Sequence, residues 1–403
     1  MNPTLPQFPP VDLLLYAHDG RGLGHISRSV AIGLAVRRLY PELRLLLVTG
    51  GSQTQELIGT GPLDWLKLPA YQTEVIDGKS RGIDGKSAYG DHQLGIIRGE
   101  HIRQIMQLYR PRIVLADHSP QGKHKELLPS LQDPQINRKT RWLLGMRGVV
   151  GSVKQTSSNL AVDLFKQYYS GLLWYGDSAI LGTAHCQSLT TQFSSRAEEC
   201  GYVSRLKEIE DSSHDQVKRG ARFRCTISVP WAGEQTNRFL ELLASILKTR
   251  GGGHGEFRFF LGSDISLSLR ESFEKLNHCT VYPFGSNYLE TLKNSQTAMI
   301  FGGYNSLVDV MAAGKPALVV MRNMRDQEQQ QHLSALVNKM PDSLLAVEEQ
   351  DCVSDSSILD TKLSVLLAAG NDRLDTSEVN LSGAENAARF LASSLGVVQP
   401  RQT

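Results

Sequence analysis

The chain has 403 residues, more than one hydrophobic core usually supports, so two domains of ordinary size are expected. A hydrophobic fraction of 40% with 21% charged residues is that of a globular protein, and a formal charge of +2 argues against a dedicated nucleic-acid binder. The five cysteines, Cys186, Cys200, Cys225, Cys279 and Cys352, form no CxxC pair, which points to reduced thiols in a cytoplasmic protein rather than to zinc or a disulfide framework.

The opening residues, MNPTLPQFPP, carry four prolines and no basic segment before an apolar core, so they read as an extended lead-in and not as a signal peptide. No apolar run approaches the roughly 20 residues that span a bilayer, which leaves membrane contact peripheral at most. Residues 11–16 form a first short strand that enters HDGRGLGH, followed by a helix over about 26–39. A second strand, 44–48, closes on Thr49-Gly50-Gly51. A helix near 95–108 leads through Arg110-Pro111 to a strand over 113–116 that ends on Asp117, and residues 141–144 and 172–175 repeat the strand pattern. Apolar strands alternating with helices imply parallel sheets and an α/β class.

The loop 76–91 contains IDGKS twice and is rich in glycine, lysine and serine. It reads either as a mobile solvated loop or as a flexible flap over an acceptor. Gly201-Tyr202-Val203 ends a further strand, and the polar run 204–220 reads as an interdomain linker. A second α/β unit follows, with strands at 224–229, 256–261, 280–283 and 297–301 and a helix at 237–250. The expected organisation is therefore a first domain over 1–203, a linker over 204–220 and a second domain over 221–403, with a cleft between the two.

The most specific stretch is 300–331, IFGGYNSLVDVMAAGKPALVVMRNMRDQEQQQ. Its order is strand end, glycine turn, helix, strand and polar loop, which sets a helix N-terminus against a phosphate. Gly302 and Gly303 let the backbone approach an anion, Asn305 or Ser306 is expected to cap the helix, and Asp309 falls one turn further in. Arg325, Asp326, Gln327, Glu328 and Gln329 crowd the next strand end. A nucleoside diphosphate fits such a site.

The front loop fails the dinucleotide pattern, because the sixth position from Gly20 is His25 and the second strand ends without an acid. His25 opens a helix whose positive dipole end favours the neutral imidazole, so it reads either as a general base or as a helix-terminal packing residue. Asp117 reads either as an acid orienting a loop or the acceptor, or as the cap of a turn before Pro120. No D-x-D pair is present to hold a metal on a nucleotide sugar, and a metal-independent chemistry fits better.

With these residues in hand, the chain resembles the MurG-like glycosyltransferases of the GT-B fold. The resemblance covers most of the chain and rests on Gly22-Leu23-Gly24-His25, Val48-Thr49-Gly50-Gly51, Arg110-Pro111 to Asp117, and Tyr175-Gly176-Asp177. It continues through Gly201-Tyr202-Val203, residues 302–329, and Ser382-Gly383-Ala384-Glu385-Asn386-Ala387-Ala388. It implies two Rossmann-like domains, the first for the acceptor and the second for a nucleotide-sugar donor, UDP being the commonest nucleotide, with dTDP and GDP left open. By position, Gly302, Gly303, Asn305 and Ser306 would face the diphosphate and Asp309 the ribose. Gln327, Glu328 and Gln329 would read the sugar, Phe284 and Gly285 would flank the base, and His25 would be the base or a phosphate contact. Gly22, Gly24 and Asp117 fall on the acceptor side, for a small-molecule, glycan or lipid-linked acceptor. Two departures stand out: Asp309 is one methylene shorter than the usual glutamate, and Pro230-Trp231-Ala232-Gly233-Glu234 replaces a glycine-rich turn. An inverting hexosyltransferase that needs no cofactor is the expected activity. A nucleotide-sugar epimerase or hydrolase and a non-catalytic nucleotide-sugar binder are the alternatives.

Overall fold

The computed structural model describes residues 9–18, 23–71, 73–76, 79–82, 87–150, 154–212, 222–231, 233–283, 285, 287–322, 328–341, 343–370 and 372–397. Short apolar runs become strands buried along their whole length, as their composition requires when helices cover both sheet faces. The first unit contains β1 (Leu13–Ala17), β2 (Leu45–Thr49) and β3 (Trp65–Lys67), then a separate antiparallel pair, β4 (Thr73–Ile76) and β5 (Lys79–Gly82). It continues with β6 (Ile113–Asp117), β7 (Arg141–Arg147), β8 (Tyr169–Tyr175) and β9 (Ala197–Glu199). The parallel sheet runs β3-β2-β1-β6-β7-β8-β9. The second unit adds β10 (Phe223–Val229), β11 (Phe257–Leu261), β12 (Cys279–Pro283), β13 (Ser295–Phe301), β14 (Ala317–Met321) and β15 (Leu344–Glu348) in the order β12-β11-β10-β13-β14-β15.

Each order reverses direction next to the first strand of its unit, and such a switch point opens a crevice at the carboxyl ends of the strands. Helix α1 (Gly24–Leu39) leaves β1, and α2 (Asp91–Tyr109) precedes β6. Helix α3 (Arg205–Ser212) connects the units, α4 (Glu234–Arg250) follows β10, α5 (Tyr304–Ala313) follows β13, and α6 (Glu328–Lys339) follows β14. The last helix is α7 (Gly383–Ser394).

Three expectations change. The first IDGKS copy is not part of a plain loop: Ile76 ends β4 and Lys79 starts β5, and the two strands pair antiparallel, while residues 77 and 78 lie outside the described ones. Most of the second copy lies outside the described residues. The polar run 204–220 begins as helix α3, because Leu206 and Ile209 fall on one face and Leu206 is buried beside Glu208, which Arg38 holds at 2.8 Å. Residues 213–220 lie outside the described ones.

The third concerns α7, assigned by position to the second domain. Ala384, Ala387, Ala388, Leu391 and Ala392 form its buried stripe, and it packs chiefly on α1 of the first unit. Gly383 donates its N–H to Tyr202 O at 3.0 Å, and a Cβ there would stand 2.6 Å from that oxygen. One hydrophobic core therefore runs from β1 and α1 through Tyr202 and Tyr304 to α7. The Tyr304 hydroxyl locks the units together, donating to Tyr175 O at 2.8 Å while accepting from Val203 N at 3.1 Å. Among the described residues no helix is long and apolar enough to cross a membrane.

Candidate active site

Helix α1 starts at Gly24, two residues earlier than its apolar pattern suggests, which puts His25 in its first turn. The side chain of His25 is 15% exposed and its Nδ1 touches Asp117 Oδ2 at the end of β6. The ring of His18, at the end of β1, lies 3.8 Å from the His25 ring, and the His118 ring lies 5.3 Å away. Burial pushes all three imidazoles well below the usual histidine range; the cations of Arg28, Arg147 and Lys123 add to this for His25. Neutral His25 with Asp117 beside Nδ1 carries its proton on Nδ1 and presents Nε2 as an acceptor. His118 holds φ at +72°, a left-handed conformation that imidazole side chains tolerate better than most, and such strain clusters at functional sites.

Asp117 is therefore a residue that orients His25, not the cap of a turn. Arg28, one turn along α1 and 3% exposed, reaches Asp117 Oδ2 at 3.1 Å and lies 3.0 Å from His25 Nδ1. His18, His25 and Asp117 offer three metal-ligand atoms within 4.8 Å of one another. The Arg28 guanidinium already lies against two of the three, His25 Nδ1 and Asp117 Oδ2, and supplies positive charge there, so the donor set suits an ion poorly.

The second half of the site is the N-terminus of α5. Its N-cap is Gly303, with no side-chain cap, so Asn305 and Ser306 are inside the first turn rather than capping it. That correction favours an anion, since the first N–H groups keep no side-chain partner and the helix dipole adds to them. The two glycines differ in purpose. A Cβ on Gly302 would meet Met321 Sδ at 2.6 Å, a packing demand, whereas one on Gly303 would meet nothing within 4 Å. Gly303 is the one that borders open space. Asn305 reaches across to α1, where a Cβ on Gly24 would meet its Nδ2 at 2.7 Å. Two uncapped helix starts, those of α1 and α5, thus face each other across the units.

Asp309 sits one turn further along α5. Burial pushes its carboxyl up to about 7, opposed by the nearby charge of Arg205. Glu328 begins α6 and is 7% exposed; its carboxylate is taken by Arg147 of β7, so it is not free to read a sugar as expected. Gln329 is half-buried in the same turn. Gly285, at φ +102°, lies against Gln53 and Glu56 of the first unit. Gly22, Phe284 and Gln327 lie outside the described residues. After β10, Arg322 stacks 3.4 Å from the Trp231 ring and donates to Trp231 O at 2.7 Å; Ala232 lies outside the described residues. A cleft of about 670 Å³ opens between the units beside this site, lined by Leu23, Ile26, Gly51, Gln53, Gly262 and Pro283.

His18, Arg28 and Arg147 were missed from the sequence. Arg28 carried a signal, since it lies three residues from His25 on one helix face. Arg147, a cation ending an apolar strand, carried a weaker one.

No protein-family model and no curated protein sequence matches the chain. Solved structures do. A putative UDP-N-acetylglucosamine 2-epimerase from Listeria monocytogenes superposes with TM-score 0.59 at 11% identity, over 98% of this chain and 100% of that one. The fold is GT-B. MurG of Acinetobacter baumannii superposes with TM-score 0.53 at 11% identity, over 96% and 99% of the two chains. A Methanocaldococcus jannaschii UDP-GlcNAc 2-epimerase, solved with UDP-GlcNAc and UDP, gives 0.59 at 10% identity, over 95% and 100%. At such identities the likeness extends to the fold alone, and the GT-B fold carries both transferases and epimerases.

Proposed function

We propose that this chain is a metal-independent, inverting glycosyltransferase that moves a sugar from a nucleotide-sugar donor, a UDP-sugar first of all, to an acceptor hydroxyl. The observation that carries the reading is His25, neutral and oriented by Asp117, facing the uncapped start of α5 from the other unit. The acceptor oxygen attacks the anomeric carbon, its proton passes to His25 Nε2, and the bond to the β-phosphate oxygen breaks with its electron pair leaving on UDP. The N–H groups after Gly303 meet that charge without reorganising. One displacement inverts the anomeric centre. The acceptor is a small-molecule, glycan or lipid-linked hydroxyl.

The epimerase reading needs paired acids in the cleft. The two candidates, Asp117 and Glu328, are each held in an ion pair, with Arg28 and Arg147 respectively. Neither is free for that chemistry, which favours the transferase. Incubating the protein with a panel of UDP-sugars, with and without an acceptor mixture, separates the two. UDP release only with acceptor, giving a glycoside of inverted configuration, supports transfer; a new UDP-sugar without acceptor supports epimerisation.

Asp309 gives a pH signature. A carboxyl raised to about 7 must ionise to accept the ribose hydroxyls well, so UDP affinity rises as pH passes upward through 7. Folding shows the opposite trend. Burial favours the protonated carboxyl, and its ionisation above the ordinary 3.8 costs up to about 4 kcal/mol in the free protein. Asp309→Asn should abolish both slopes, weakening UDP binding at pH 8 while raising the unfolding midpoint there. Calorimetric titration and thermal unfolding across pH check this. An unchanged UDP affinity in the variant would remove Asp309 from the ribose site.

A further inference from the structure

The geometry points to Arg147 as a cation for the departing diphosphate, held by Glu328 from the opposite unit. This rests on the nucleotide-sugar reading above and adds a residue to it. Arg147 is the last residue of β7, at the carboxyl edge of the first sheet, where open α/β sheets bind their ligands. Its neighbour in register is Tyr175, whose carbonyl receives the Tyr304 hydroxyl at the first turn of α5. Arg147 therefore stands one strand away from the anchor of the proposed phosphate site. The charge of Arg147 also contributes to lowering His25 and His118 of the first unit and His332 of α6 in the second.

The ion pair with Glu328 looks structural at first, but its exposure is uneven. The Glu328 side chain is 9% exposed and that of Arg147 21%, so the open side of the pair is the cation. Glu328 engages one terminal nitrogen, Nη2. Among the described residues Nε–H, which is buried, has no partner. A guanidinium presents five N–H donors in a planar fork that fits phosphate oxygens, and one tethered by a carboxylate at one nitrogen keeps the rest for a ligand. Burying a cation and a carboxylate is costly, so a pair with an unused donor at the carboxyl edge of the sheet is better explained by a missing acceptor than by stability. The departing UDP oxygen, which gains charge as the glycosidic bond breaks, is such an acceptor. Glu328 then sets where the fork points and partly offsets its charge.

Titration calorimetry with uridine, UDP and inorganic pyrophosphate on wild type, Arg147→Gln, Arg147→Lys and Glu328→Gln tests this. In wild type UDP and pyrophosphate bind, and Arg147→Gln weakens both by roughly 10- to 100-fold while uridine affinity stays put. Arg147→Lys restores part of the loss because it keeps the charge and the tether. Glu328→Gln, which leaves Arg147 uncompensated, binds pyrophosphate more tightly than wild type. Unchanged UDP affinity in Arg147→Gln, or an equal loss for uridine and UDP, overturns the assignment and leaves the nucleotide-sugar reading in place. A wild type that binds pyrophosphate through Arg147 but neither uridine nor UDP overturns that reading, and with it the assignment to a departing UDP, leaving Arg147 as an anion contact only. One that binds none of the three overturns both.

Discussion

Replacing His25 with alanine should lower the transfer rate by roughly 10²- to 10⁴-fold, the range a positioned general base contributes. UDP affinity should barely move, because His25 takes the acceptor's proton and is not one of the proposed donor contacts. Asp117→Asn tests the same device from its other side. The amide removes the charge that selects the Nδ1–H form and leaves Arg28, 3% exposed, without its carboxylate. Transfer should fall by a comparable factor while the wild-type fold persists by circular dichroism. The pH profile separates the base from the ribose acid. A neutral imidazole loses its function only when pH falls through its pKa, and His25 is held well below 6.5, so kcat at saturating donor stays flat through that region. The donor's kcat/KM instead rises through about 7, with Asp309. An inflection in kcat near 6.5 would contradict the buried, neutral His25.

Glu126→Ala should be the most damaging substitution away from the site, costing about 3–5 kcal/mol. Glu126 and Arg98 are fully buried, with Arg98 Nε 2.5 Å from Glu126 Oε2 and Nη2 3.0 Å from Oε1. The Tyr16 and Tyr71 hydroxyls donate to the same carboxylate. Removing it strands a guanidinium in the core and two phenols beside it. The network also braces the segment between Asp117 and α2's neighbours, and Tyr71 lines the cleft, so a folded Glu126→Gln variant should show weakened transfer along with a smaller stability loss. Urea unfolding followed by tryptophan fluorescence measures the cost. A loss below about 1 kcal/mol would mean that the pair behaves as an exposed one.

How far the sequence showed this follows from which interactions are local. The five-residue strands were legible because apolar runs of that length have little choice once helices cover both faces, and β1, β2 and β6 are buried throughout. The α5 turn was legible for the same reason, with Gly302 and Gly303 marking it. Its capping was not, since Asn305 and Ser306 are good caps whose side chains the register places past the cap. Helix α7 has a plain amphipathic stripe, but nothing in a stripe names its partner, and α1 lies more than three hundred residues away in the chain. The pairing of His25 with Asp117, 92 positions apart, and of Arg147 with Glu328, 181 apart, likewise has no local signature. Both were candidates or strand-end charges in the sequence; only the fold makes them pairs.

The account stands on one position, the diphosphate at the facing starts of α1 and α5. A crystal structure with UDP bound tests it most directly. The prediction is a β-phosphate against the N–H groups following Gly303, ribose hydroxyls on Asp309 and the base toward Gly285. UDP seated elsewhere, with Gly303 still bordering empty solvent, would contradict it.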